Sequence, residues 1–293
     1  MLSKVQFRLQ FLVLLWGFTG LFGKLVTISA LPMVWYRMLI AAIAIFIYIK
    51  FRKGSISIKP KYILQLLGIG AIVGLHWYTF YLSIKVSNVA IALSTLSLCA
   101  LFSSIIEPII FRRKIVISEI ILAAIVSGCV IWIFNASPEY KMGIIYGTIC
   151  SFLSALFSVL NSTYKDKIKS TSITFYEMIG GFLMMNILML FFQMESFNEV
   201  LNVGWSNFLW LLLLGVVFTA FAQIEAVNLF QYFTPYTILL NVNLEPIYGI
   251  ILASLVFGDS EKMQPVFYIA TGIMILSIII NGFIKSRQNK VVN

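Results

Sequence analysis

The sequence predicts an all-α integral membrane protein whose ten transmembrane helices form two inverted repeats of five. Three observations carry that expectation. Of the 293 residues 60% are hydrophobic and only 11% charged, and the mean hydropathy is +0.97, far from the balance of a soluble domain. Apolar runs long enough to cross a bilayer recur down the whole chain, and their connections are too short to hold a soluble domain. Marks of the first half also return in the second at a nearly constant offset.

The runs fall at about 8–28, 32–50, 62–84, 88–111, 118–134, 142–164, 172–193, 206–230, 235–257 and 264–284. The first follows Lys4 and Arg8 as a signal peptide would, yet Lys24 interrupts it and no small-residue cleavage site follows. It therefore reads as a retained helix. The second opens at Pro32 and closes on Lys50, and the third is framed by Lys61 and Lys85. Ser87-Asn88 opens the fourth, and Arg112-Arg113-Lys114 stops it. The fifth is brief, with a start that could lie nearer Ile115. Lys141 and Lys165 frame the sixth, and Lys285 lies just beyond the tenth.

The ninth run, opened by Pro235 and closed by Gly258-Asp259, is the most informative. It carries Asn241, Asn243 and the pair Glu245-Pro246 where lipid demands hydrocarbon. At about 1.5 Å per residue Glu245 lies roughly 16 Å from the helix start, near the membrane midplane. An ionised carboxylate there costs at least about 3 kcal/mol unless it is paired, hydrated or protonated. Pro246 lacks the N–H that would bond the Val242 carbonyl. Such a segment predicts a polar cavity built around it.

The net charge of +10 invites a nucleic-acid reading, but the basic residues cap apolar runs instead of lining one face, so no nucleic-acid partner is expected. With the N-terminus inside, sixteen basic residues fall in inside segments, clustered at Lys50–Lys61, Arg112–Lys114, Lys165–Lys169 and the C-terminal tail. Only three, Lys85, Lys141 and Lys262, fall outside. The bias predicts a multi-pass protein of the cytoplasmic membrane with both termini cytoplasmic. Cys99, Cys129 and Cys150 are isolated in apolar runs, with no metal-ligand spacing, and read as packing residues.

Tyr36-Arg37-Met38 returns as Tyr176-Glu177-Met178, Trp16 and Lys24 answer Phe157 and Lys165, and Ser87-Asn88 answers Thr234-Pro235. These matches divide the chain at 1–134 and 135–293. Because five crossings is an odd number, the second repeat runs upside down relative to the first. That architecture typifies secondary transporters, with the substrate near the midplane between the halves.

Polar residues inside the runs fall on helical stripes. The candidate solute contacts are Trp16, His76, Tyr78, Tyr81, Ser154, Ser158, Glu225, Asn228, Asn241 and Glu245. Each has a plainer alternative. Serine stripes more often pack helices than bind solutes. Trp16, Tyr78 and Tyr81 stack on a ligand or fill core with equal ease. His76, the one histidine, either titrates in the site or bonds a neighbouring helix. Lys24 and Arg37 lie near helix ends, from which they snorkel to headgroups. Glu107 sits one turn from Arg112 and Arg113, where an interfacial ion pair suffices, whereas Glu225 and Glu245 have no basic neighbour in sequence. Glu245 then either exchanges a proton or neutralises a substrate ammonium, or stays protonated and bonds a neighbouring helix. No Ser/His/Asp grouping, two-histidine motif or phosphate-cradling loop appears, so neither enzyme activity nor a cofactor or metal is expected.

Trp16-Gly17, Pro32 with Tyr36-Arg37 and Ala41-Ala42, Ser87-Asn88-Val89-Ala90, Leu214-Gly215, Thr234-Pro235 and Leu244-Glu245-Pro246 with Gly258-Asp259 carry a resemblance. Over about 8–284 the chain resembles the drug/metabolite transporter superfamily, in its ten-helix EamA-type branch. It departs from the usual pattern at Cys99, where proline is common, at Gly258-Asp259 in place of glycine-glutamate, and at Arg112-Arg113-Lys114 in place of an acidic end. The resemblance implies alternating access, a cavity lined by helices one, three, four, six, eight and nine, and export of small metabolites such as amino acids. The expected function is thus a secondary transporter, an exporter of small amphipathic metabolites, with protons as a possible coupling ion. An uncoupled facilitator of the same solutes and a non-transporting membrane scaffold are the alternatives.

Overall fold

The computed structural model describes residues 2–192 and 196–291. Among them every regular element is helical. Eight helical segments are long and apolar enough to cross a membrane, and two shorter apolar stretches, Ile120–Ala136 and Pro265–Ser277, stand at the fifth and tenth positions.

The spans are Leu2–Leu25, Ala30–Phe51, Pro60–Val86, Val89–Phe111, Ile117–Ala136, Lys141–Ser162, Ser170–Phe192, Trp205–Leu229, Pro235–Phe257 and Pro265–Val291. A short helix, Ser196–Leu201, precedes the eighth. Side chains such as Phe51, Leu64, Phe191 and Leu255 are exposed on the outside of the bundle, as lipid requires.

Three spans are interrupted. The fourth breaks between Val89–Leu96 and Cys99–Phe111, and the ninth between Pro235–Val242 and Glu245–Phe257. In the ninth Pro246 stands in the first turn of the second half, where its missing N–H is one that no carbonyl was due to receive. In the fourth no proline is needed: Cys99 packs its Sγ 3.8 Å from the Leu239 carbonyl and 3.6 Å from Asn243 Oδ1, so one break rests on the other. The eighth span carries a π-helical turn, Val216–Phe221, a widening that recurs at functional sites.

Each broken span is capped by a carboxylate attached to the other. Glu107, near the end of the fourth, accepts the Tyr236 N–H at 3.0 Å and pairs with Arg113 at 3.0 Å. Glu261, just after the ninth, accepts the Ala90 N–H at 3.1 Å and pairs with Lys24 at 2.6 Å. Lys24 therefore ends in an ion pair with a buried carboxylate instead of among headgroups. A negative charge at a helix N-terminus meets its unsatisfied N–H groups and the positive end of its dipole.

Glycines set the closest crossings. A methyl at Gly70 would overlap the Glu177 backbone, with its carbonyl carbon 2.7 Å away, and one at Gly180 would meet the Leu67 carbonyl carbon at 2.7 Å. The third and seventh spans thus touch backbone to backbone. The first and ninth cross in the same way at Gly17 and Gly249.

Candidate functional site

Between these spans lies a narrow cavity of about 60 Å³. Glu245 lines it from the break in the ninth span and is 4% exposed. Its place in the first turn of a new helix directs helix-terminal N–H groups and the positive dipole end toward that region. Trp16 and Thr19 come from the first span, His76, Trp77 and Phe80 from the third, Ser154, Phe157 and Ser158 from the sixth, and Gln223 and Phe230 from the eighth. Phe230 also lines a second cavity with Glu107, Arg113 and Lys165, on the face that carries the N-terminus.

At the end away from that face stands Arg37, 2% exposed. It donates from Nε to Thr219 Oγ1 at 2.6 Å, from Nη1 to Tyr81 Oη at 3.0 Å and from Nη2 to the Phe218 carbonyl at 3.4 Å. Its guanidinium lies 3.7 Å from the centre of the Trp77 ring. The π turn makes this possible: Thr219 bonds back five residues to the Leu214 carbonyl at 2.8 Å and presents its oxygen to Arg37. Snorkelling of Arg37 to the headgroups is thereby overturned, because its stem runs inward to four partners on two other spans.

Of the residues singled out in the sequence, Trp16, His76, Ser154, Ser158 and Glu245 come together around the cavity. His76 sets Nδ1 2.9 Å from the Cys150 carbonyl, an acceptor, which places the proton of a neutral ring on Nδ1. The serine stripe divides by height. Ser151 donates to the Thr95 carbonyl at 2.8 Å and packs the sixth span on the fourth, whereas Ser154 and Ser158 face the cavity.

The other five stand around it. Tyr81 is fully buried behind Arg37, and Tyr78 is half-buried in the core. Trp77 and Phe80 line the cavity from the third span instead. Glu225 takes two hydrogen bonds from Arg8, at 2.6 and 3.0 Å, across 217 residues of chain. Asn241 accepts from Gln10 Nε2 at 2.7 Å, and Asn228 is half-buried one residue from the lining Val227. Lining residues that the sequence did not single out include Thr19, Trp77, Phe80, Phe157, Gln223 and Phe230, with Arg37 set aside as a snorkelling cation. Arg37 left a signal as a charge inside an apolar run within Tyr36-Arg37-Met38, and Gln223 as an amide inside the eighth run.

The sequence profile of the EamA-like transporter family matches residues 9–135 and again residues 141–283. No curated protein matches the chain. A solved structure described as "Crystal structure of protein" is 14% identical, with a TM-score of 0.72 over 98% of this chain and 99% of its own, a likeness of fold.

Proposed function

Because the chain belongs to the EamA-like transporter family, we propose that it is a secondary transporter that exports small amphipathic metabolites, amino acids or related compounds, by alternating access. The observation that carries this reading is a buried guanidinium and a buried carboxyl group, Arg37 and Glu245, lining a single cavity with Trp16, Trp77, Phe80 and Phe157. A zwitterion brings a carboxylate for the guanidinium and an ammonium for the carboxylate, and its side chain meets the aromatic wall. Arg37 uses three of the five N–H groups a guanidinium can donate, which leaves one on each terminal nitrogen for a substrate carboxylate. In this proposal Trp16, His76, Ser154, Ser158 and Glu245 touch the solute. Tyr78, Tyr81, Glu225, Asn228 and Asn241 hold the frame.

Purified protein in liposomes preloaded with a labelled apolar amino acid is expected to release it, and faster when a proton gradient is imposed. Release indifferent to the gradient identifies a facilitator, and no release identifies a scaffold. For the wall, Phe80→Ala is expected to raise the apparent KM by about tenfold, the order of one lost aromatic contact, while Tyr78→Ala stays within about twofold. The reverse order in a transport assay moves the solute to the other side of the third span.

We also propose the orientation that the basic residues favour, with both termini in the cytoplasm of a cell bounded by this membrane. Reporter fusions after Lys61 and Lys114 are expected to read cytoplasmic, and fusions after Tyr140 and Asn198 external. A failure of these four sites to segregate overturns the orientation.

A further inference from the structure

Among the described residues, Glu177 is the most deeply buried carboxylate without a cation. It is 0% exposed, and among the described residues no lysine, arginine or histidine pairs with it. Its Oε2 accepts from Gln223 Nε2 at 3.5 Å, but Oε1 has no partner. Asn161 of the sixth span lies alongside, also 0% exposed, its amide close enough to interact with the Glu177 carboxyl but short of full hydrogen-bond geometry. An ionised carboxylate buried without a cation is expensive, and buried unpaired polar atoms in one cluster call for an occupant.

Three charged or titratable groups of the helices around it, Arg37, His76 and Glu225, are engaged elsewhere. Arg37 of the second span binds Thr219 and Tyr81, and His76 of the third binds the Cys150 carbonyl of the sixth. Glu225 of the eighth binds Arg8. At its back the third span meets the Glu177 backbone at Gly70.

We infer that Glu177, Asn161 and Gln223 form a second proton-binding site, separate from Glu245 and joined to the main cavity through Gln223, which lines that cavity. The chemistry is a reversible addition of one proton to one carboxylate oxygen. Protonated, Oε1–H donates to Asn161 Oδ1. Deprotonated, Oε1 accepts from Nδ2 after the amide turns over. One amide thus serves both states, while Gln223 holds Oε2 in each. Glu177 answers Arg37 in the internal repeat. One repeat therefore carries a fixed positive charge where the other carries a charge that a proton can cancel.

The inference rests on the transport reading for its use but not for its test. Infrared difference spectra of the purified protein, taken across a pH series at constant choline chloride, read the carbonyl stretch of protonated carboxyls directly. Two such bands are expected, one lost in Glu245→Gln and the other in Glu177→Gln. Asn161→Ala is expected to move the pH midpoint of the second band by about one unit or more, the size of a lost hydrogen bond to a carboxyl. This variant keeps the test decisive if Glu177→Gln does not insert. A Glu177→Gln spectrum that superimposes on the wild type overturns the site, and so does an unmoved midpoint in Asn161→Ala. A spectral change produced by sodium at fixed pH replaces the proton with that cation and overturns the assignment. Bands that behave as expected in a protein that moves no solute leave the site standing and sink the transport reading instead.

Discussion

Glu245→Gln is expected to insert and fold normally while losing the pH dependence of transport and most of its affinity for zwitterions. Glutamine keeps the size and hydrogen-bonding reach of the side chain but cannot ionise. Glu245 lines the same cavity as Arg37, so in the proposed reading the change removes the carboxylate that meets a substrate ammonium. Removing one member of a desolvated charge pair costs about 2–5 kcal/mol, which corresponds to an affinity loss of about thirtyfold to a few thousandfold. Initial rates in proteoliposomes between pH 6 and 8 measure both effects, with Glu245→Asp as the variant that keeps the charge. A wild-type rate and pH profile in the glutamine variant makes Glu245 a structural group and leaves proton exchange to Glu177.

The largest effect on stability is expected from Gly180→Ala and Gly70→Ala. The added carbon would overlap the backbone of the facing helix at Leu67 or at Glu177. Neither is the end of a flexible side chain, so no rotamer change relieves the contact and two long helices must move apart. Overpacking of rigid interiors costs about 1–3 kcal/mol, and a backbone clash lies at or beyond the upper end. Both variants are expected to give little monodisperse protein on size exclusion and a melting temperature several degrees lower, about what such an energy implies. Gly68→Ala and Gly128→Ala, whose added carbons meet nothing within 4 Å, serve as controls. Equal behaviour of all four removes the claim that backbone contact sets this crossing.

The broken ninth span was legible because Pro235, Glu245-Pro246 and Gly258 are local signals, each acting within one turn of itself. Gly258 ends the helix with a φ of 56°, where glycine is at ease. The break in the fourth span was not, since Cys99 breaks it by leaning on Asn243 of another helix, and no residue type in the fourth announces that. The pairing of Glu225 with Arg8 was hidden for the same reason: its partner lies at the other end of the chain. On the third span the choice between Tyr78 with Tyr81 and Trp77 with Phe80 is a rotation of one residue, about 100° of helix. All four are aromatic, so hydropathy carries no information about that angle. Arg37 was visible as a charge, but its burial depends on a π turn in the eighth span, which periodicity does not reveal.

The glycine contact between the third and seventh spans also decides where this molecule bends. With no layer of side chains between them, these two helices have nothing to slide on, and they behave as one stiff beam. Strain from any rocking is passed to places where the hydrogen-bond ladder is already open: Ser97–Leu98, Asn243–Leu244 and the turn at 216–221. Those three joints hold Cys99, Glu245 and Thr219, the last gripping Arg37. In the proposed transport cycle, flexing the protein changes the distance between Arg37 and Glu245, so the grip on the solute and the motion of the frame are one mechanical coordinate.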